Sequence, residues 1–121
     1  MKKLYLLLAL IVLCSGAVAQ TATELIGRWK LISWKNPEGQ PMDIKATLGT
    51  DKVYQIFRDG FQFEGVVGDK SEKGTWALSA DNKKLTVTTT SSSTEFNVDG
   101  FDRIKRTISC RLGTLEYTRE E

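Results

Sequence analysis

The chain has 121 residues, of which 17 are lysine or arginine, 15 are acidic and none is histidine. This near balance of charge argues against a nucleic-acid partner, which needs clustered cations to neutralise phosphates. The lack of histidine removes the commonest general base and the usual zinc ligand, and neither a phosphate-binding glycine motif nor a pair of carboxylates stands out. We therefore expect neither catalysis nor a bound metal or cofactor.

The first predicted element is a secretory signal peptide over residues 1–19. Two lysines precede an apolar run from Leu4 to Leu13, and small residues follow up to Ala19. This order is typical of a signal peptide that is cleaved after Ala19, and the apolar run is too short for a stable transmembrane helix. We therefore expect a single mature domain, residues 20–121, that works in the periplasm or outside the cell.

The two cysteines bear on anchoring and on disulfides. Some bacterial signal peptides end before a cysteine that becomes lipidated, and Cys14 is a candidate for that modification. The residue before a lipidated cysteine is normally small, whereas Leu13 stands here, so we favour cleavage after Ala19 over a lipid anchor. Only Cys110 then remains, which excludes an intramolecular disulfide, and the fold must be stabilised by packing.

The chain from Gly27 onward predicts an all-β domain, because apolar residues recur at spacing two in short runs separated by turn-forming residues. Short connections between successive antiparallel strands predict an up-and-down barrel, since closure alone removes exposed sheet edges. The eight predicted strands cover residues 27–35, 53–58, 61–67, 73–79, 84–90, 94–98, 103–110 and 114–119.

Residues 58–60 have the composition of a hairpin loop. A three-residue loop closed by a left-handed glycine pairs Phe57 with Phe61 and Gln55 with Phe63. We favour this register because it places three phenylalanines on one face of the sheet, whereas a two-residue loop scatters them.

A second turn, over residues 80–83, fixes another register. It pairs Leu78 with Leu85 and Trp76 with Val87, which gives one continuous apolar face.

A third hairpin is predicted at Asp99-Gly100, and the strand after it contains the sharpest single candidate, Arg106. Arg106 shares the parity of the apolar residues two positions before and after it, so a regular strand aims it into the barrel. Phe101 breaks that parity, which we interpret as a bulge near Asp102. Two alternatives stay open: a strand twist that turns Arg106 outward, or a carboxylate partner such as Glu95 or Asp102.

Three motifs follow one another along the chain: LIGRW at residues 25–29, FRDGFQF at residues 57–63 and KGTWALS at residues 73–79. Together they resemble the lipocalin superfamily, most closely the short lipocalin-like domains of secreted bacterial proteins. The resemblance implies that Trp29 lies across the closed end of the barrel, that Arg119 covers the indole, and that Gly27 lets the chain cross beneath.

The long connection from Asn36 to Lys52 lies where lipocalin-like barrels carry a loop over the open end. Its two prolines and its apolar residues Met42, Ile44 and Leu48 indicate an ordered lid. A short strand or helix that plugs the barrel is the alternative.

An eight-stranded barrel is either filled by its own side chains or just wide enough for one small ligand. A packed core is the ordinary role of the inward apolar residues, while Gln55, Gly65 and Thr89 favour a cavity. The resemblance favours a non-catalytic binding protein for a small apolar or amphipathic molecule, and an inward Arg106 resembles the carboxylate-holding arginines of fatty-acid carriers in the same superfamily. The candidate cavity residues are Trp34, Gln55, Phe57, Phe61, Phe63, Trp76, Val87, Arg106 and Tyr117.

The alternative function is a filled barrel that acts as a protein interaction or inhibitor module. The chain is shorter than a typical lipocalin, so any cavity is expected to be shallow.

Overall fold

The structure, a computed structural model, describes residues 22–120, and these form a closed antiparallel β-barrel. Each strand pairs with the next, and the last pairs with the first, as the turn spacing predicted. The strands are β1 (Gly27–Lys35), β2 (Val53–Arg58), β3 (Gln62–Val67), β4 (Lys70–Leu78), β5 (Lys84–Thr89), β6 (Ser93–Phe101), β7 (Lys105–Cys110) and β8 (Gly113–Arg119). The predicted signal peptide and Cys14 lie outside the described residues.

The hairpin between β2 and β3 has a three-residue turn, as predicted, but the turn lies one residue further along the chain. Asp59–Phe61 forms a 3₁₀ turn in which both Gly60 and Phe61 have left-handed backbones. Phe57 therefore pairs with Phe63 and Gln55 with Gly65, so the predicted pairings of Phe57 with Phe61 and of Gln55 with Phe63 are both wrong by two residues. Because the shift is even, the inner face is unchanged except at Phe61, which is 57% exposed in the turn.

The hairpin between β4 and β5 has the predicted register, with Trp76 opposite Val87 and Leu78 opposite Leu85. At the other end of this pair, Gly74 lies so close to β5 that a Cβ would come within 1.8 Å of the Thr88 carbonyl oxygen. Only glycine at position 74 therefore allows the two strands to pack this closely.

The predicted hairpin at Asp99-Gly100 is wrong, because β6 continues through both residues to Phe101. The bulge lies at Asp99, between the Val98 and Gly100 pairings, and not near Asp102. Asp102 instead makes the turn: its Oδ1 accepts hydrogen bonds from the backbone N–H groups of Ile104 (2.8 Å) and Lys105 (2.7 Å). A side chain that holds two amides defines a turn better than an Asp-Gly pair whose glycine lacks a left-handed backbone.

The connection between β1 and β2 is ordered but does not enter the barrel. It contains the short helix α1 (Ile44–Leu48), which Asp43 caps by accepting a 3.0 Å hydrogen bond from the Ala46 N–H and which ends at Gly49. No residue of this connection is buried, although Ile44 packs against the edge of the core. The structure thus contradicts the plug alternative. Within residues 22–120, no helix combines the length and apolar character needed to cross a membrane.

Candidate functional site

Trp29 and Arg119 seal one end of the barrel. The indole of Trp29 is fully buried, and its Nε1 donates a 2.8 Å hydrogen bond to the Leu25 carbonyl. The guanidinium carbon of Arg119 lies 4.5 Å from the centre of the indole. Gly27, with φ of 142°, turns the chain into β1 in a conformation that side chains disfavour.

Arg119 also binds three backbone carbonyls. It donates hydrogen bonds to the carbonyls of Arg103 and Ile26, at 2.7 Å each, and of Glu24. One side chain thus ties the last strand to the N-terminal segment and to the turn before β7. The barrel interior is closed at this end, and the pocket of about 540 Å³ found here lies on the outer side of Arg119, against Glu24, Ile26 and Ile104.

The opposite end holds a pocket of about 440 Å³ that opens to solvent. Its apolar wall comes from β2 and β3, and the turn between β5 and β6 forms part of its rim. Three of the candidate cavity residues line it: Gln55, Phe63 and Tyr117. The other lining residues are Val53, Tyr54, Gly65, Val66, Val67, Lys70, Ser71, Glu72, Thr89 and Ser92.

The remaining candidate cavity residues lie elsewhere. Phe57, Trp76 and Val87 are buried in the packed core below the pocket, and Phe57 and Trp76 meet edge to face with ring centres 5.6 Å apart. Phe61 lies outside the barrel against Trp76. Trp34 is half-buried, and its Nε1 donates a 2.8 Å hydrogen bond to the Leu112 carbonyl. The lower part of the barrel is therefore filled, and the pocket is shallow.

Arg106 points into the barrel directly beneath this pocket. It is 1% exposed, and its Nη2 donates a 2.5 Å hydrogen bond to Oε1 of Gln55. Its other two guanidinium nitrogens, Nε and Nη1, have no hydrogen-bond partner among residues 22–120. The proposed carboxylate partners are occupied elsewhere: Asp102 caps its own turn, and Glu95 lies 3.8 Å from Lys84.

Aromatic rings surround the charge of Arg106. Its guanidinium carbon lies 4.6 Å from the ring centre of Tyr117, 4.8 Å from that of Phe57 and 5.1 Å from that of Trp29. These rings stabilise the cation but supply no formal negative charge. Burial lowers the pKa of Arg106 to about 10, against the opposing effect of the nearby Tyr117, so the guanidinium remains charged at neutral pH.

The pocket floor presents two polar groups that no hydrogen bond within residues 22–120 satisfies. Gln55 uses its oxygen for Arg106, which leaves its amide NH₂ free, and the hydroxyl of Tyr117 has no partner. Tyr117 is 4% exposed, and burial raises the pKa of its hydroxyl to about 12. It is therefore a hydrogen-bond donor at neutral pH, and both groups lie over the Arg106 charge.

The rim contains a carboxylate that our interpretation of the sequence missed. Oε1 of Glu72 accepts hydrogen bonds from the Ser91 hydroxyl (2.5 Å), the Ser91 N–H (2.9 Å) and the Thr90 hydroxyl (3.2 Å). The Ser91 hydroxyl, followed by the Thr89 hydroxyl and the Ser91 N–H, lowers the pKa of Glu72 from 4.5 to about 2. Our predicted strand began at residue 73, whereas alternation continued back from Trp76 through Gly74 puts Glu72 on the inner face.

Glu72 is the single carboxylate in the described lining, so no second carboxylate is present to act as its acid or base partner. Within residues 22–120, no group of three or more cysteines and acidic residues is arranged to hold a metal ion. What the site offers is an apolar wall, two free donors and a buried cation.

No protein-family model matches the chain, and no curated protein matches it. Several solved structures are similar to the chain in fold. An uncharacterized protein from Bacteroides eggerthii is 12% identical, with a TM-score of 0.65 over 79% of this chain and 99% of that one. A lipocalin-like protein from Bacteroides uniformis is 13% identical, with a TM-score of 0.65 over 80% and 99%. A protein from Burkholderia xenovorans is 15% identical, with a TM-score of 0.58 over 84% and 87%.

At these identities the similarity shows the fold alone. It confirms the fold predicted from the three sequence motifs: residues 22–120 form a lipocalin-like barrel.

Proposed function

We propose that this chain is a non-catalytic binding protein that holds one small amphipathic molecule, by its acidic head group, in the pocket at the open end. The observation that supports this most is the unmatched charge of Arg106 below the pocket floor. A buried cation without an anion costs free energy, and an acidic group of a ligand supplies the missing negative charge.

The pocket walls define how such a molecule is held. Its head accepts hydrogen bonds from the free amide of Gln55 and the hydroxyl of Tyr117, within the field of Arg106. Its apolar part packs against Val53 and Phe63. A volume of about 440 Å³ lies within the range of small-molecule sites and limits the ligand to a short chain or a small ring. The signal peptide predicted from the sequence supports a location in the periplasm or outside the cell.

The test compares octanoate with octanol, which have the same chain length and different head groups, by titration calorimetry. We expect wild-type protein to bind octanoate roughly tenfold more tightly, since charge-assisted hydrogen bonds are stronger than neutral ones. Arg106→Met is expected to abolish this preference. It should fold, because replacing a buried charge by an apolar side chain of similar length is often neutral or stabilising.

Arg111→Met is the matched control, because Arg111 lies exposed in the turn after β7. It should keep the preference for octanoate. Equal binding of the two probes by the wild type, or a preference that survives in Arg106→Met, would show that Arg106 does not select an acidic head group.

The interaction or inhibitor module has one observation in its favour. Phe61 and Ile104, in turns at the closed end, are 57% and 68% exposed. If the wild type binds neither octanoate nor octanol, the pocket is not an amphipathic-ligand site and this exposed apolar end becomes the better candidate for function.

A further inference from the structure

Glu72 places a fixed negative charge on the inner face of the pocket mouth. It lies opposite Gly65 on β3, and Gly65 lies opposite Gln55 on β2. Because neighbouring strands are about 4.8 Å apart, the backbones of Gln55 and Glu72 are separated by roughly 10 Å. Gly65 has no side chain, and the ring of Phe63 lies over it, with one ring carbon 3.3 Å from where a Cβ would be. An apolar surface therefore separates the amide of Gln55 from the carboxylate of Glu72.

The hydrogen bonds to Glu72 are concentrated on one of its two carboxylate oxygens. Three bonds from the turn between β5 and β6 reach Oε1, and none of comparable geometry within residues 22–120 reaches Oε2, although the nearby Thr89 hydroxyl also helps to lower the pKa of the group. Lys70 lines the same pocket, yet no ion pair with Glu72 is formed in the described chain. The bonds to Oε1 keep the group ionised and hold it in place, which leaves Oε2 as a preorganised acceptor.

The pocket therefore has a cation below its floor and an anion at its mouth. From this we infer that the ligand is dipolar: its acidic head lies at Gln55 and Tyr117, and a positively charged group roughly 10 Å away binds Oε2 of Glu72. This inference rests on the proposed function and names the ligand class. A simple fatty acid is a poorer match, because its apolar tail meets an ionised carboxylate at the mouth.

The test uses ω-aminooctanoate, which differs from octanoate by an ammonium group at the far end. We expect wild-type protein to bind it roughly fivefold more tightly than octanoate, the gain that a partly exposed ion pair can supply. Glu72→Gln should remove that gain, since its amide oxygen can still accept the bonds from Ser91 and Thr90 but the charge is gone.

Two controls isolate the charge. Glu95→Gln, which removes an exposed carboxylate on β6, should keep the preference for ω-aminooctanoate. Hydrogen exchange at the Ser91 amide should be unchanged in Glu72→Gln if the turn is intact. If the turn opens in Glu72→Gln, two other measurements decide whether Glu72 binds the ammonium group. These are the comparison of octanoate with ω-aminooctanoate on wild-type protein and the same comparison on Glu72→Asp, which keeps the charge.

The outcomes separate this inference from the proposed function. If neither octanoate nor ω-aminooctanoate binds, the proposed function fails. If octanoate binds and the ammonium group brings no gain, or the gain survives in Glu72→Gln, the proposed function stands and the dipolar assignment is wrong.

Discussion

Arg119 shows why a single residue can determine whether the barrel closes. Its planar guanidinium group donates hydrogen bonds to three carbonyls from two separate segments, and the face of this group covers the indole of Trp29. A lysine carries the same charge but is a point donor without a flat face, so it cannot reproduce both contacts.

We expect Arg119→Lys to lower the free energy of unfolding by roughly 2 kcal/mol, since two charge-assisted hydrogen bonds are lost at partly buried carbonyls. Urea denaturation followed by tryptophan fluorescence measures the change. Arg28→Lys is the control: Arg28 also stacks on a ring, at 4.0 Å from the centre of Tyr54, but on the exposed outer surface. It should cost about 0.5 kcal/mol or less. Equal effects of the two substitutions would contradict this account of Arg119.

The candidate site was predictable at this scale only in part. Alternation along the strands placed Gln55, Tyr117 and Arg106 on the inner face, and all three are buried there. The same rule placed Phe57 and Trp76 on that face, yet these fill the core below the pocket. Alternation gives the face of a residue but not its height along the barrel axis, and that height decides between core and pocket.

The register of neighbouring strands was predictable where apolar side-chain pairs determine it. It was less predictable where the turn between the strands determines it. The register of β4 and β5 follows from apolar pairs such as Trp76 with Val87. The turns after β2 and β6 depend on backbone conformations and on side-chain caps such as Asp102, which hydrophobic alternation does not contain. A bulge or a displaced turn shifts the register while the apolar face stays the same.

The close contact between β4 and β5 at Gly74 gives a prediction for these elements. Gly74→Ala is expected to lower the free energy of unfolding by roughly 3 kcal/mol or to prevent folding, because the new methyl group collides with the Thr88 carbonyl oxygen. Gly65→Ala is the control in the neighbouring strand. There the nearest atom to an added Cβ is a side-chain carbon of Phe63, at 3.3 Å. Its cost should be small, and thermal unfolding of both variants compares them directly.

For the whole molecule, the closed topology followed from the number of strands and the short connections, since an open sheet of this kind leaves two edges exposed. Hydrophobic alternation could not predict which side chains stabilise the turns at the two ends of the barrel. Three carboxylates have this role in the structure: Glu72 at the open end, and Asp81 and Asp102 in turns at the closed end.

These three carboxylates make acid stability a property of the whole barrel. Hydrogen bonds from Ser91 lower the pKa of Glu72, those from Ser79 and Lys83 lower that of Asp81, and the Ile104 and Lys105 amides lower that of Asp102. Each group thus binds protons more weakly in the folded than in the unfolded state. Their stabilising effect is complete above the ordinary carboxyl pKa and is lost as pH falls through the lowered values.

We therefore expect the melting temperature to fall steadily as pH drops from about 5 toward 2, the range between the ordinary and the lowered carboxyl pKa values. The triple variant Glu72→Gln, Asp81→Asn, Asp102→Asn should melt lower at neutral pH and show a flatter dependence, because its turn acceptors no longer titrate. Circular dichroism melts across this range measure both effects. Glu95→Gln, whose carboxylate accepts no backbone hydrogen bond in the described chain, should follow the wild-type curve. A triple variant as pH-sensitive as the wild type would place the acid-sensitive groups outside these turns.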